Sequence, residues 1–219
     1  MSLHLQRDLD QLKRDVLHLG GLVETALGNA SIALKDRRVE LAAAVYADEL
    51  LINEKEVQIE ENCLKILALH QPVAIDLRFI VVVLKVNNDL ERIGDLAENL
   101  TARAVYLAER EPMPDPMAKI NAMFVTIRSM LKNSLDSLVK LDVDMARKVI
   151  EQDDDVDEIN RQMYDDFRAL MSKDSSMIEQ ATSWLSCSRY LERIADLATN
   201  ICEDVVFMVE GEVVRHQSQ

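Results

Sequence analysis

The chain has 219 residues and a mass of 24.9 kDa, enough for one large domain or two small ones, with five glycines, four prolines and 48% hydrophobic residues. So few turn residues, beside long stretches of Ala, Leu, Glu, Lys, Arg and Met, exclude a sheet-rich fold and point to an all-α protein. A formal charge of −14 argues against nucleic acid as a partner, because phosphate backbones are held by clustered Lys and Arg.

From about Leu3 to Lys35, apolar residues recur at spacings of three and four: Leu5, Leu9, Leu12, Val16, Leu19, Val23, Ala26, Leu27, Ala30 and Leu34. This is the stripe of a long amphipathic helix that continues across Gly20 and Gly21, with a bend expected there. Asp36-Arg-Arg38 breaks the pattern. A second helix is predicted from about Val39 to Leu69 on Leu41, Val45, Ile52, Val57, Ile59, Leu64 and Leu67. Pro72 ends the turn at the start of a third helix, Val73 to about Glu109.

Glu111-Pro-Met-Pro-Asp-Pro116 is the clearest break, since three prolines in five residues cannot continue a helix. It divides the chain into residues 1–112 and 113–219. The fourth helix carries Ile120, Phe124, Ile127, Met130, Leu131, Leu135, Leu138 and Leu141. Asp142 is placed to cap a fifth, from about Val143 to Met171, and a Lys173-Asp-Ser-Ser176 turn leads to a sixth, Met177 to about Glu210, closed by Gly211. Six long helices joined by short turns predict two tandem, similar, antiparallel three-helix bundles in an elongated molecule.

The two halves repeat each other. Leu90-Glu-Arg-Ile-Gly-Asp-Leu-Ala-Glu-Asn99 returns 101 positions later as Leu191-Glu-Arg-Ile-Ala-Asp-Leu-Ala-Thr-Asn200, with eight of ten residues identical. On a helix, Glu91, Asp95 and Asn99 fall at i, i+4 and i+8, as do Glu192, Asp196 and Asn200, so each set forms one oxygen-bearing stripe. Like charges at i, i+4 repel by a few tenths of a kcal/mol, and a cation is the obvious counterweight. Gly94 and Ala195, the small residues before each Asp, leave room for a close neighbour.

Each second helix adds an acid four residues before an Asn or Asp: Glu49 and Asn53, then Asp153 and Asp157, 104 residues apart. Asn53 and Glu91 each lie 19 residues from Pro72, so the two stripes of an antiparallel pair are level, and counting from Ser175 gives the same match in the second half. Four oxygen ligands in one patch per half suit hard or borderline cations, Mg2+, Ca2+, Mn2+ or iron, in a site able to hold more than one ion. Asn53 makes the first patch the less charged. The acids Glu151, Asp154, Asp155 and Glu158 lie off the stripe and are expected in solvent.

Other chemistry finds less support. No Glu-x-x-His accompanies either motif, and His4, His18, His70 and His216 are scattered. No P-loop or nucleophile elbow occurs. Cys63, Cys187 and Cys202 are widely spaced core thiols of a reducing cytoplasm, and Trp184 and Phe79 fit the core. Arg92 and Arg193 are placed either to pair with acids of a neighbouring helix or to dock a partner. No signal peptide is visible, and the longest apolar run, Phe79 to Leu84, is six residues, too short for direct membrane insertion.

With the paired E-R-I-x-D-x-x-x-N motifs, Gln71-Pro72, Asp76-Leu-Arg78, Asn200-Ile-Cys-Glu203 ahead of Val205-Val-Phe207, and Val214-Arg-His216, the chain resembles the PhoU family of phosphate-transport regulators over nearly its whole length. The resemblance implies two three-helix bundles whose E(D)xxxD motifs hold multinuclear iron or zinc clusters. Those motifs fall on Glu49, Asn53, Glu91 and Asp95, and on Asp153, Asp157, Glu192 and Asp196, with Asn99 and Asn200 completing the pattern. It further implies a homodimeric cytoplasmic adaptor, not an enzyme. Such an adaptor bridges the ATPase subunit of the phosphate ABC transporter and a sensor histidine kinase, and represses the phosphate-starvation response. The rival expectation is a carboxylate-bridged metalloenzyme on a helical bundle.

Overall fold

The computed structural model describes residues 3–113 and 116–211. Pro114 and Asp115 of the proline-rich link, and the Val214, Arg215 and His216 motif, lie outside the described residues. Every regular element among the described residues is helical: α1 (Leu3–Asp36), α2 (Ala42–His70), α3 (Ala74–Ala108), α4 (Met117–Lys140), α5 (Val143–Glu151), α6 (Asp153–Lys173) and α7 (Ile178–Glu210), with single 3-10 turns at Val39–Leu41 and Ser175–Met177 leading into α2 and α7. At about 1.5 Å per residue the 35 residues of α3 span about 52 Å, which sets the long dimension.

The local reasons are in the sequence. All ten apolar residues of the predicted first stripe are buried on α1, and α1 runs unbroken across both glycines. A Cβ on Gly20 would lie 2.5 Å from Leu135 Cδ1, so the missing side chain is what lets α4 approach. Gln71 ends α2 in the left-handed conformation, and α3 begins at Ala74, two residues beyond Pro72. Asp142 caps α5 by accepting a hydrogen bond from Met145 N at 2.9 Å. Gly211, at φ 77°, caps α7.

The fifth rod differs from the single helix expected. It is two segments meeting at Gln152, whose N–H donates to both Val149 O and Ile150 O. Beyond that tightened turn, α6 opens with Asp153, Asp154 and Asp155, where exposed helix N–H groups and the helix dipole favour negative charge. Glu151, Asp154, Asp155 and Glu158 are all exposed, as expected.

Helices α1, α2 and α3 pack on one another, and α4, α5, α6 and α7 form the second set; α3 on α7 and α1 on α4 join the two. Helices α3 and α7 run antiparallel over their full length. Lys85 Nζ meets Asp204 Oδ1 at 2.9 Å near one end, and Tyr106 OH donates to Glu179 Oε2 at 3.2 Å near the other. The repeats are therefore related by a pseudo-two-fold axis across this pair. Phe79, Trp184 and the three cysteines are buried, and burial pushes the thiols up to about 12, which leaves them as packing groups. No helix among the described residues is long and apolar enough to cross a membrane.

Candidate metal centre

The buried residues of α2 are Ala42, Val45, Glu49, Ile52, Ile59, Cys63 and Ile66, spaced by threes, fours and one seven. Val57 and Leu64, expected on this stripe, are exposed instead. Glu49 occupies a core position of an otherwise apolar stripe, and half-buried Glu56 falls in the gap between Ile52 and Ile59. The antiparallel neighbour α3 sets Gly94 against Glu49. A Cβ on Gly94 would lie 2.8 Å from Glu49 Oε2 and 3.1 Å from Ile52 Cδ1, so glycine is what leaves space for the carboxylate.

Glu49 is 7% exposed, and both of its oxygens are buried without a hydrogen-bond partner. Asn53 and Asp95 stand beside it, Asn53 drawing its carboxyl down and Asp95 pushing it up. Burial first, and then the charge of Asp95, push Glu49 up to about 7. Carboxylate oxygens of Glu49, Asp95 and Glu98 lie within 4.8 Å of one another. Oxygens sharing one hard cation sit about 3 Å apart in cis and 4–5 Å in trans, so the spacing fits a shared ion. Glu91 lies one turn from Asp95; burial and the charges of Asp95 and Glu56 raise it despite Arg92.

Glu98 was not singled out on the sequence, because it lies off the i, i+4 stripe. Its signal is the i+3 step from Asp95, which turns it toward α2. It restores the charge that Asn53 removes, so the first patch is not the charge-poor one. Asn99 turns its amide onto its own helix, Nδ2 donating to Asp95 O at 2.8 Å, and stays at the rim.

The second half repeats the register with different residues. Asp153 is half-buried with Oδ1 unpartnered, and burial followed by the charges of Asp196, Asp157, Asp154 and Glu192 pushes it up to about 7. Burial and neighbouring acids also raise Glu192 and Asp196. Among the described residues these four carboxylates form no group as tight as Glu49, Asp95 and Glu98. Thr199 stands in the place of Glu98, its Oγ1 buried without a partner. One turn further along, the halves match again. Asn87 Nδ2 donates to Glu56 O at 2.9 Å in the first, and Ser188 Oγ donates to Asn160 Oδ1 at 2.6 Å in the second.

The two patches share one face. Arg92, Asp95, Leu96 and Asn99 line a groove of about 290 Å3 with their repeats Arg193, Asp196, Leu197 and Asn200, so the pseudo-two-fold axis runs down it. Neither arginine closes an ion pair among the described residues. Arg92 draws Glu91 down, and Arg193 draws Glu192 and Asp196 down, in each case less than burial raises them.

Comparison with known proteins agrees with this duplicated architecture. The profile of the PhoU domain matches twice, over residues 16–104 and 120–205. The Phosphate-specific transport system accessory protein PhoU homolog of Aquifex aeolicus is 39% identical over 213 residues, covering 97% of this chain and 96% of that protein. The accessory protein PhoU of Escherichia coli is 32% identical over 211 residues, covering 95% and 86%. The crystal structure of PhoU from Pseudomonas aeruginosa superposes with a TM-score of 0.92 at 34% identity, covering 94% of this chain and 99% of the other, and PhoU from Streptococcus pneumoniae gives 0.89 at 28%. Two matched domains in register with the two bundles, and relatives alike from end to end, place the chain in the PhoU family.

Proposed function

We propose that the chain regulates phosphate uptake as a metal-binding adaptor, its two repeats, 1–112 and 113–219, each contributing one carboxylate patch. By family membership it is an accessory protein of phosphate-specific transport. In the finer reading it is a cytoplasmic homodimer that links the ATPase subunit of the phosphate ABC transporter to a sensor histidine kinase and represses the phosphate-starvation response.

One observation carries the metal part of this reading. Glu49 is a buried carboxyl with two orphaned oxygens, held against half-buried Glu98 and exposed Asp95, and its own ionised form is disfavoured there unless a counter-charge is at hand. Asp153 Oδ1 repeats the pattern more loosely. Glu49, Glu91, Asp95 and Glu98 would hold the first ions and Asp153, Asp157, Glu192 and Asp196 the second, with Asn53, Asn99 and Asn200 as neutral neighbours. A bound di- or trivalent cation supplies the positive charge that lets these groups ionise together. The donor set is all oxygen, which between iron and zinc favours iron. The chain's own part is to hold the carboxylates at fixed separation and to draw its two halves into one face.

The test is metal content by mass spectrometry on protein purified without chelators or a His-tag. Beside it stand Glu49→Ala/Asp95→Ala and Glu192→Ala/Asp196→Ala, and each variant is scored on a phosphate-starvation reporter. Two or more ions per chain are expected, with each double variant losing those of its own half and derepressing the reporter. No metal in the unaltered protein, or content that neither variant lowers, overturns the metal reading.

A further inference from the structure

Behind α3 and α7, on the side away from the acidic groove, α1 and α4 meet across the same pseudo-two-fold. They touch where Gly20 admits Leu135. Beyond that contact a groove of about 680 Å3 opens between residues 24–36 of α1 and 121–132 of α4, more than twice the volume of the groove between the acidic patches. Its walls include buried Leu27, Phe124 and Leu131, and it carries Ile32, 39% exposed, and Val125, 72% exposed. Ile32 and Val125 together give the groove an exposed apolar lining over that buried floor.

The charge here is the reverse of the molecule's. Helix α4 carries four Lys or Arg and a single Asp in a chain of formal charge −14. Lys119 and Lys140 are spent on Asp166 and Asp136, at 2.6 and 3.2 Å. The cations of the groove, Lys35, Arg128 and Lys132, have no hydrogen bond or ion pair with any described residue, and they outnumber its acids, Glu24 and Asp36. The wall of α1 from residue 24 to 35 is about 16 Å long, three turns of helix.

We propose that this groove docks an acidic amphipathic helix of a partner protein, about three turns long. Its apolar face covers Ile32 and Val125, and its Asp or Glu side chains meet Lys35, Arg128 and Lys132. An anionic membrane fits less well, because lipid-binding clusters carry four to eight cations. Three cations flanking an apolar trough instead match a helix with acids along the edges of its apolar stripe, and they steer its approach to a chain that repels acidic partners elsewhere. The inference leans on the adaptor reading only in supposing that a partner exists, and it involves no metal ligand.

The probe is a fluorescein-labelled, three-turn peptide with Leu at i, i+3, i+4 and i+7 and Glu at the flanking positions. A Lys-for-Glu counterpart and phosphatidylglycerol vesicles serve as controls. The acidic peptide should bind in fluorescence anisotropy and slow hydrogen exchange in residues 24–36 and 121–132. Val125→Glu should weaken it at least about tenfold, the effect of losing one central apolar contact. Arg128→Glu/Lys132→Glu should switch the preference to the Lys peptide. Both variants alter exposed positions, and unchanged thermal melting and metal content show that fold and patches persist. Equal binding of both peptides, protection elsewhere, or a preference for the vesicles overturns the proposal. So does a dimer that Val125→Glu splits in sedimentation while no peptide binds, since the occupant is then a second copy of this chain. A failed metal test leaves this result standing, and the reverse holds too.

Discussion

The two carboxylate patches solve one packing problem in two ways. In the first, a long acid faces a residue with no side chain, Glu49 against Gly94; in the second, the register position pairs a shorter acid with a larger neighbour, Asp153 and Ala195. The charge is also exchanged between helices. The first patch has Asn53 on α2 and Glu98 on α3, and the second has Asp157 on α6 and Thr199 on α7. Four carboxylates remain in each, but only the first gathers three within 4.8 Å. What is held constant is the charge on the face, while the closeness of the groups is free to drift.

The largest effect should come from breaking the size match. Gly94→Ala puts a Cβ 2.8 Å from Glu49 Oε2 and 3.1 Å from Ile52 Cδ1. The carboxylate, at the end of a flexible side chain, is what moves. The helix gains about 1 kcal/mol of propensity, which offsets much of the crowding, so the melting temperature should change little. Metal affinity of the first patch should fall about 10- to 100-fold, the usual result of disturbing a ligand's support. Adding Glu49→Asp should recover part of it by copying the second patch, and Ala195→Gly should leave the second patch's affinity alone. Isothermal titration with iron or manganese reads all three, and a folded Gly94→Ala variant whose affinity is unchanged would refute the match.

Proton linkage separates the halves next. Glu49 rises from its ordinary value of 4.5 to about 7 in the folded chain. Between those values the unfolded chain sheds a proton that the folded chain keeps, so the metal-free protein loses stability as pH rises from about 4.5 to 7 and levels off above. Glu49→Gln should therefore stabilise the metal-free protein at pH 8, by on the order of 2 kcal/mol, and do nothing at pH 4. Asp153→Asn should follow the same curve over a wider span, from 3.8 to about 7. Thermal melts in chelator across that range decide it. Both groups must lose protons to bind a cation, so metal affinity should climb through pH 7.

These differences mark how far the sequence could be read. Repeat, helices and register were legible, because a stripe of threes and fours and a shared distance from Pro72 fix which residues lie level. Gln152 was not, since a helix interrupted by one tightened turn keeps its apolar period on both sides. Glu98 was missed because i, i+4 spacing describes one helix, whereas a carboxylate patch is a property of two; only the partner helix shows that i+3 turns inward. The burial of Glu49 was half visible, as an acid standing between Val45 and Ile52 of the apolar stripe.

Moving the charge tests whether the exchange matters. Glu98→Thr should cost the first patch about tenfold in affinity, by removing one of three close carboxylates, and adding Asn53→Asp should restore the charge but only part of the affinity, since the geometry then resembles the looser second patch. Full recovery would mean that net charge alone governs binding.

The smallest expected effect lies at Thr199. Its Oγ1 is buried without a partner, so Thr199→Val removes an unsatisfied group while keeping shape, and should be neutral or stabilising by about 0.5–1 kcal/mol in a denaturant melt. The metal affinity of the second patch should not move, because a hydroxyl that takes no part in the ion's shell contributes nothing when lost. If affinity falls instead, Thr199 is a ligand in its own right, and the second patch has kept at Thr199 an oxygen donor of lower charge where the first has Glu98. The two patches would then differ in charge at that position but not in the number of groups they bring to the metal.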